Sequence, residues 1–130
     1  MSRIALVDDD RNILTSVSMT LEAEGFEVET YNDGQSALDA FNRRMPDMAV
    51  LDIKMPRMDG VAATRAIRAL PGPVGQTPII ALTANADPED VRSYIEAGMN
   101  DVVEKPIKAE RMLEALQAAL DGVETASAAA

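Results

Sequence analysis

The sequence has no cysteine and no histidine, and aromatic residues are scarce: two Tyr and two Phe in 130 residues. Without cysteine there are no disulfides and no thiolate-bound metals, which fits a reducing compartment. Without histidine the chain lacks the commonest general base and the commonest metal ligand. A metal held here is therefore a hard cation bound through oxygen: Mg²⁺, Mn²⁺ or Ca²⁺. No apolar run approaches the roughly 20 residues that span a bilayer. The N-terminus has no basic segment leading into an apolar one, so no secretory signal is read there. Basic residues are outnumbered, 12 Lys and Arg against 22 Asp and Glu, for a net charge of −10. Such a chain repels a phosphate backbone, so nucleic-acid binding is not expected of it. The acidity serves solubility, and it raises the question of whether some carboxylates crowd at a site that needs a cation.

What is present is ordered by period. Arg3 to Val7 is a short apolar run suited to a strand buried on both faces. Helical spacing follows from Arg11 to Glu24, with Ile13, Leu14, Val17 and Leu21 on one stripe, Asp10 as N-cap and Gly25 as the stop. Phe26 to Tyr31 returns to strand character, and Asn32-Asp33-Gly34 is turn chemistry. A second helix places Ala37, Leu38, Phe41 and Met45 inward and ends at Pro46. Met48 to Asp52 is the third strand, and Val61 to Leu70 the third helix. The run Pro71-Gly72-Pro73-Val74-Gly75 predicts a loop. A fourth strand spans Pro78 to Thr83, and a fourth helix opens at Pro88 and closes at Gly98. Asp101 to Glu104 is a short fifth strand, and Lys108 to Asp121 the last helix. The domain is expected over 1–121, with 122–130 a flexible tail or linker remnant. Strict alternation of strand and helix predicts an α/β fold: a doubly wound, five-stranded parallel sheet with helices on both faces, in three layers.

In such sheets ligands bind beyond the carboxyl ends of the strands. Here those ends deliver Asp8 and Asp9, then Asp52, then Thr83 and Ala84, then Lys105. Each alone is an ordinary loop acid, strand end or surface lysine. Together they bring three carboxylates, a hydroxyl and an ammonium to one edge. Crowded carboxylates call for a cation. Mg²⁺, with Mn²⁺ as substitute, suits Asp8, Asp9 and Asp52, and the Lys54 backbone carbonyl is a further oxygen. Carboxylates act as nucleophiles toward phosphoryl groups, whose transfer needs positioning and charge neutralisation more than a base. Asp52 is therefore read as a phosphoryl acceptor, with Lys105 as a second positive centre and Thr83 as a donor to a phosphoryl oxygen.

The pieces Leu6-Val7-Asp8-Asp9, Asp52 to Gly60, Leu82-Thr83-Ala84 and Lys105-Pro106 closely resemble the receiver domain of two-component response regulators. The resemblance covers residues 3 to 121. It implies a flavodoxin-like sheet of order 2-1-3-4-5, a cis bond before Pro106, and Mg²⁺-dependent transfer from a kinase phosphohistidine to Asp52 with slow self-dephosphorylation. It further implies a cytoplasmic phosphoprotein that takes part in its own phosphoryl transfer but is not a turnover enzyme. The implied partners are a sensor histidine kinase or a histidine phosphotransferase, with the domain a monomer or a weak dimer through the fourth helix, fifth strand and fifth helix. Asp8 to Ser18 and Asp52 to Gly60 look like OmpR-type transcriptional regulators. Leu82 to Ala86, Ala97 to Asp101 and Lys105 to Ile107 look like hybrid histidine kinase receivers, which suggests a join near Gly60.

One departure stands out. The family couples its Thr83-type hydroxyl to an aromatic residue on the fifth strand, and here that position is Val102, with Tyr94 as a substitute on the fourth helix. The family's output face offers Arg92, Glu96, Asp101, Lys108 and Arg111, and a kinase helix would meet Arg11, Asn12 and Thr15. Lys54 and Asn85 flank Asp52 and are expected to tune water attack on an aspartyl phosphate. The alternative is a receiver-like module that binds partners without phosphorylation. A flavodoxin would need a Ser/Thr/Gly-rich loop where Asp8-Asp9-Asp10 stands. An aspartate-nucleophile hydrolase wants a second Asp where Lys54 stands.

Overall fold

The computed structural model describes residues 2–129 apart from Pro56, with side chains described through Asp121. Five parallel strands, β1 (Arg3–Val7), β2 (Glu27–Tyr31), β3 (Met48–Asp52), β4 (Ile79–Thr83) and β5 (Asp101–Glu104), lie in the order β2-β1-β3-β4-β5. Five helices alternate with them: α1 (Arg11–Ala23), α2 (Gly34–Arg43), α3 (Gly60–Arg68), α4 (Pro88–Ala97) and α5 (Ala109–Ala129). This is the doubly wound arrangement expected from the alternation, in the flavodoxin-like strand order that the resemblance implies.

Strand residues alternate between two cores, as the two-residue period demands. Ala5, Val7, Ala49, Leu51, Ile79, Ala81 and Val102 pack with Ala37 and Phe41 of α2 and Ala63 and Ile67 of α3. Ile4, Leu6, Met48, Val50, Ile80, Leu82 and Val103 pack with Val17 and Leu21 of α1 and Met112 and Leu116 of α5. Every residue of β1, β3 and β4 is buried, which is why these strands read as unbroken apolar runs. Burying each large aliphatic side chain contributes roughly 1.5–3 kcal/mol.

Helix ends follow the expected chemistry. The Asp10 side chain accepts from the Asn12 and Ile13 amides, Asp33 from Ser36, and Asp59 from Ala62. Gly98 closes α4 at φ 117°, in the left-handed region that suits glycine. Three expectations change. Helix α2 ends at Arg43, because Arg44 is already extended (φ −152°, ψ 112°), so Met45 is not on its inner face but 40% exposed. The residue before Pro46 is pushed out of helical geometry, which ends the helix before the apolar pattern does. The run from Pro71 is not all loop: Pro73–Gln76 forms a 3-10 turn. Helix α5 continues past Asp121 to Ala129, and the tail expected over 122–130 falls where side chains lie outside the described residues. Among the described residues no helix is long and apolar enough to cross a membrane.

Candidate functional site

Strand pairing brings the sequence-predicted residues together. β1 and β4 both flank β3, so Asp8, one residue past β1, and Thr83, the last of β4, lie on either side of Asp52. Lys105 follows β5, which pairs with β4 and carries Glu104 opposite Thr83. Asp52 shares parity with Met48 and Val50 on the α1/α5 side, whereas Thr83 shares parity with Ile79 and Ala81 on the other. The Lys105–Pro106 bond is cis, as the resemblance implies. Asp8, Asp9, Asp10, Asp52, Ile53, Lys54, Thr83, Ala84 and Lys105 line one cavity of about 220 Å³.

Within it, Lys105 Nζ lies 3.0 Å from Asp52 Oδ1 and 3.2 Å from Asp8 Oδ2. Asp8 is fully buried, and its Oδ1 accepts the Asp10 amide at 2.9 Å. Its Oδ2 is close enough to Lys105 for charge pairing, yet no donor is aligned to make a hydrogen bond with it. Burial pushes both the Asp8 and Asp52 carboxyls above the ordinary aspartate value; the Asp10 amide and Lys105 partly offset this at Asp8, and Lys105 does so at Asp52. Burial alone would lower the Lys105 ammonium, but Asp52 and Asp8 outweigh it and hold the group above its usual value.

One carboxylate oxygen from each of Asp8, Asp9 and Asp52 lies within 4.8 Å of the others. One lysine faces this cluster, and the buried Asp8 Oδ2 lacks a hydrogen bond. An all-oxygen donor set with an unsatisfied carboxylate oxygen fits a hard divalent cation. Thr83 lines the cavity, but its hydroxyl donates to the Asn85 carbonyl at 3.0 Å. Lys54 is solvent-exposed at the rim.

The sequence reading had Gly60 at the end of the stretch that resembles the family but did not show its contact with the site. The Gly60 amide donates to the Ile53 carbonyl at 3.0 Å, and a Cβ there would meet the Asp52 carbonyl oxygen at 2.5 Å. Only glycine lets the start of α3 lie this close to the backbone carrying Asp52. The Asp59-Gly60 pair was the available signal. Glu104 carried no signal at all, yet its Oε2 accepts the Ala86 amide at 2.8 Å beside the cavity. Of the five charged output-face candidates, Arg111 and Asp101 pair with each other at 3.1 Å, while Arg92, Glu96 and Lys108 are exposed.

The family model for the response regulator receiver domain matches residues 4–117. The chain belongs to that family. It is 36% identical over 118 residues to the DNA-binding response regulator MtrA of Mycolicibacterium smegmatis, an alignment covering 91% of this chain and 50% of that protein. The chain thus spans about half the length of such relatives. The chemotaxis protein CheY4 of Vibrio cholerae superposes with a TM-score of 0.86 at 34% identity, covering 92% of this chain and 99% of that one. The receiver domain of the sensor histidine kinase PA1611 of Pseudomonas aeruginosa, solved with magnesium coordinated in its active site cleft, gives a TM-score of 0.84 at 36% identity and covers 92% and 98%. Relatives of both regulator and kinase type match this receiver domain across nearly its whole length.

Proposed function

We propose that this receiver domain is a phosphoacceptor in two-component signal transduction, with Asp52 taking a phosphoryl group from a partner's phosphohistidine. The observation that carries the reading is the buried carboxylate pair of Asp8 and Asp52 facing Lys105, with Asp8 Oδ2 left without a hydrogen bond. Asp8, Asp9 and Asp52, with the Lys54 carbonyl, would hold Mg²⁺, or Mn²⁺ in its place. When bound, the cation neutralises charge that builds on the phosphoryl oxygens.

The chain's own residues do the rest. An Asp52 carboxylate oxygen attacks phosphorus as the bond to the histidine nitrogen breaks, leaving an aspartyl phosphate; that nitrogen keeps the bonding pair, and the proton on the other ring nitrogen makes the departing imidazole neutral. Lys105, now paired with Asp52, is placed to follow the charge onto the phosphoryl group. The Thr83 hydroxyl reaches a phosphoryl oxygen by leaving the Asn85 carbonyl. Water later cleaves the aspartyl phosphate, so each acceptance is one event and not an enzymatic turnover. Lys54 at the rim, and Asn85 two residues past Thr83, tune that water's attack. The donor helix fits beside α1, where Arg11, Asn12 and Thr15 are exposed. There a cavity of about 290 Å³ is lined by Ile13, Val17, Ile107 and Met112 and reaches Lys105. In this reading the domain works in the cytoplasm, and its own acidic surface does not bind nucleic acid.

The intact set of Asp8, Asp9, Asp52, Thr83 and Lys105 counts against a binding module that works without phosphate. The test is acetyl phosphate with MgCl₂, read by intact mass. One phosphoryl adduct on the wild type and none on Asp52→Ala is the expected result; equal labelling of both proteins, or none of either, would overturn the reading.

A further inference from the structure

We propose that Glu104 is a latch on the N-terminal end of α4, and that phosphoryl binding at Asp52 competes with it; the competition rests on the phosphoacceptor reading, the latch does not. Helix α4 buries only Ala97. Val91 and Tyr94 pack only partly buried against the core, so polar ties at the two ends help set its place. At the C-terminal end the tie is multiple. Arg68 donates to the Gly98 carbonyl through Nε and Nη2 at 3.0 and 2.7 Å, and to Asn100 Oδ1 at 3.1 Å. The same guanidinium reaches the Gly75 and Thr77 carbonyls at 3.0 and 2.7 Å.

The N-terminal end is held more lightly. Asp87, at the N-cap, makes no side-chain capping bond. The loop before it is held by the Thr83–Asn85 turn and by the Glu104 carboxylate, whose Oε2 accepts the Ala86 amide at 2.8 Å. Glu104 lies opposite Thr83 in register, and the next residue, Lys105, donates its amide to the Thr83 carbonyl at 2.7 Å. The latch residue is thus the register partner of Thr83 and the chain neighbour of Lys105.

Competition follows from the geometry. Thr83 Oγ1 is committed to Asn85, accepting its amide at 3.2 Å and donating to its carbonyl at 3.0 Å. To reach a phosphoryl oxygen the hydroxyl must let Asn85 go. Asn85 is bonded directly to Ala86, so a shift of the loop pulls on the amide that Glu104 holds. Val102, buried on the same strand, has no long ring to swing in response, which leaves the loop and α4 to move. Glu104 touches none of the reacting atoms and is a positioning residue. Because coupling is reciprocal, removing the latch strengthens phosphoryl binding by the factor with which that binding weakens the latch.

The test compares Glu104→Ala, which removes the acceptor, with Glu104→Gln, which keeps one. Amide hydrogen exchange on the whole, unphosphorylated chain comes first. Glu104→Ala should speed exchange at Ala86 and in the first turn of α4 on the order of fivefold to tenfold, the size of one net hydrogen bond. Glu104→Gln should stay near wild type, and residues 98–100 should be unmoved in both. Binding of beryllium fluoride with MgCl₂, a phosphoryl mimic, should then tighten in Glu104→Ala by a similar factor. Unchanged exchange overturns the latch. Faster exchange with unchanged beryllium fluoride affinity overturns the competition. Wild-type protein that takes neither acetyl phosphate nor beryllium fluoride overturns the phosphoacceptor reading and the competition with it, while leaving the exchange result to decide the latch.

Discussion

Strands β1, β3 and β4 bury every one of their residues, whereas α4, ten residues long, buries only Ala97 and leaves Ile95 45% exposed. The first region carries Asp52 and Thr83 and leads directly into Asp8; the second packs Val91 and Tyr94 only partly buried against the core and is tied by Arg68 at one end and Glu104 at the other. A close-packed interior holds carboxylates in place at the cost of desolvating them. A helix with little apolar anchoring can change position by exchanging a few hydrogen bonds. Chemistry and response thus draw on different physics within one sheet.

The sharpest way to break this contrast is by truncation on each side. Leu51→Ala, at a fully buried position next to Asp52, should cost about 2–5 kcal/mol. Ile95→Ala should fall within about 0.5 kcal/mol of wild type. Urea denaturation reads both, and similar losses would show that α4 is packed as firmly as the sheet.

Next in size is Gly60→Ala. The added Cβ meets backbone, the Asp52 carbonyl oxygen at 2.5 Å and the Ile53 Cα at 3.0 Å, rather than a side chain that can rotate away. A loss of about 1–3 kcal/mol is expected, the range for forcing extra atoms into a packed site. Acetyl phosphate labelling of Asp52 should fall as well, even under conditions where the variant is folded. Unchanged stability and labelling would mean that the start of α3 does not position Asp52.

These positions also show what could be read without coordinates. The alternation of apolar runs and helical stripes was enough for a doubly wound parallel sheet and for bringing Asp8, Asp9, Asp52, Thr83 and Lys105 to its carboxyl edge; the strand order came from the resemblance to receiver domains. The end of α2 was misplaced because the apolar pattern continued to Met45 while the residue before Pro46 could not be helical. Apart from the Asp10 helix cap, hydrogen-bond partners were not legible. Nothing in the order of residues says that the Thr83 hydroxyl turns to Asn85, or that Glu104 reaches the Ala86 amide, since both depend on loop conformations that no periodicity records.

A smaller effect separates the cost of the site from its use. Burial holds the Asp8 carboxyl above its ordinary value of 3.8. The folded state therefore disfavours the ionised form, and stability is lost as pH rises through the raised value. Asp8→Asn should accordingly be more stable than wild type at pH 7 without divalent cation, and the gain should shrink as pH falls toward 3.8. MgCl₂ should stabilise the wild type, by roughly 1.4 kcal/mol at tenfold excess over its Kd, and should do less for the variant. Thermal melts with and without MgCl₂ measure both effects. A variant less stable than wild type without cation would mean that pairing with Lys105 outweighs burial at Asp8.

The smallest effect is expected at Tyr94, the aromatic residue on α4 that stands nearest in role to the ring missing at position 102. Tyr94 is half-buried and packs against the cluster that contains Val102 and Met99. What it contributes there is ring area, which phenylalanine supplies equally. Tyr94→Phe should stay within about 0.5 kcal/mol of wild type, and the change in α4 hydrogen exchange on adding acetyl phosphate should be the same in both proteins. A response that disappears in Tyr94→Phe would place the coupling in the hydroxyl of Tyr94. The light hold on α4 would then come from a tyrosine switch displaced onto the helix, and the latch at Glu104 would be secondary to it.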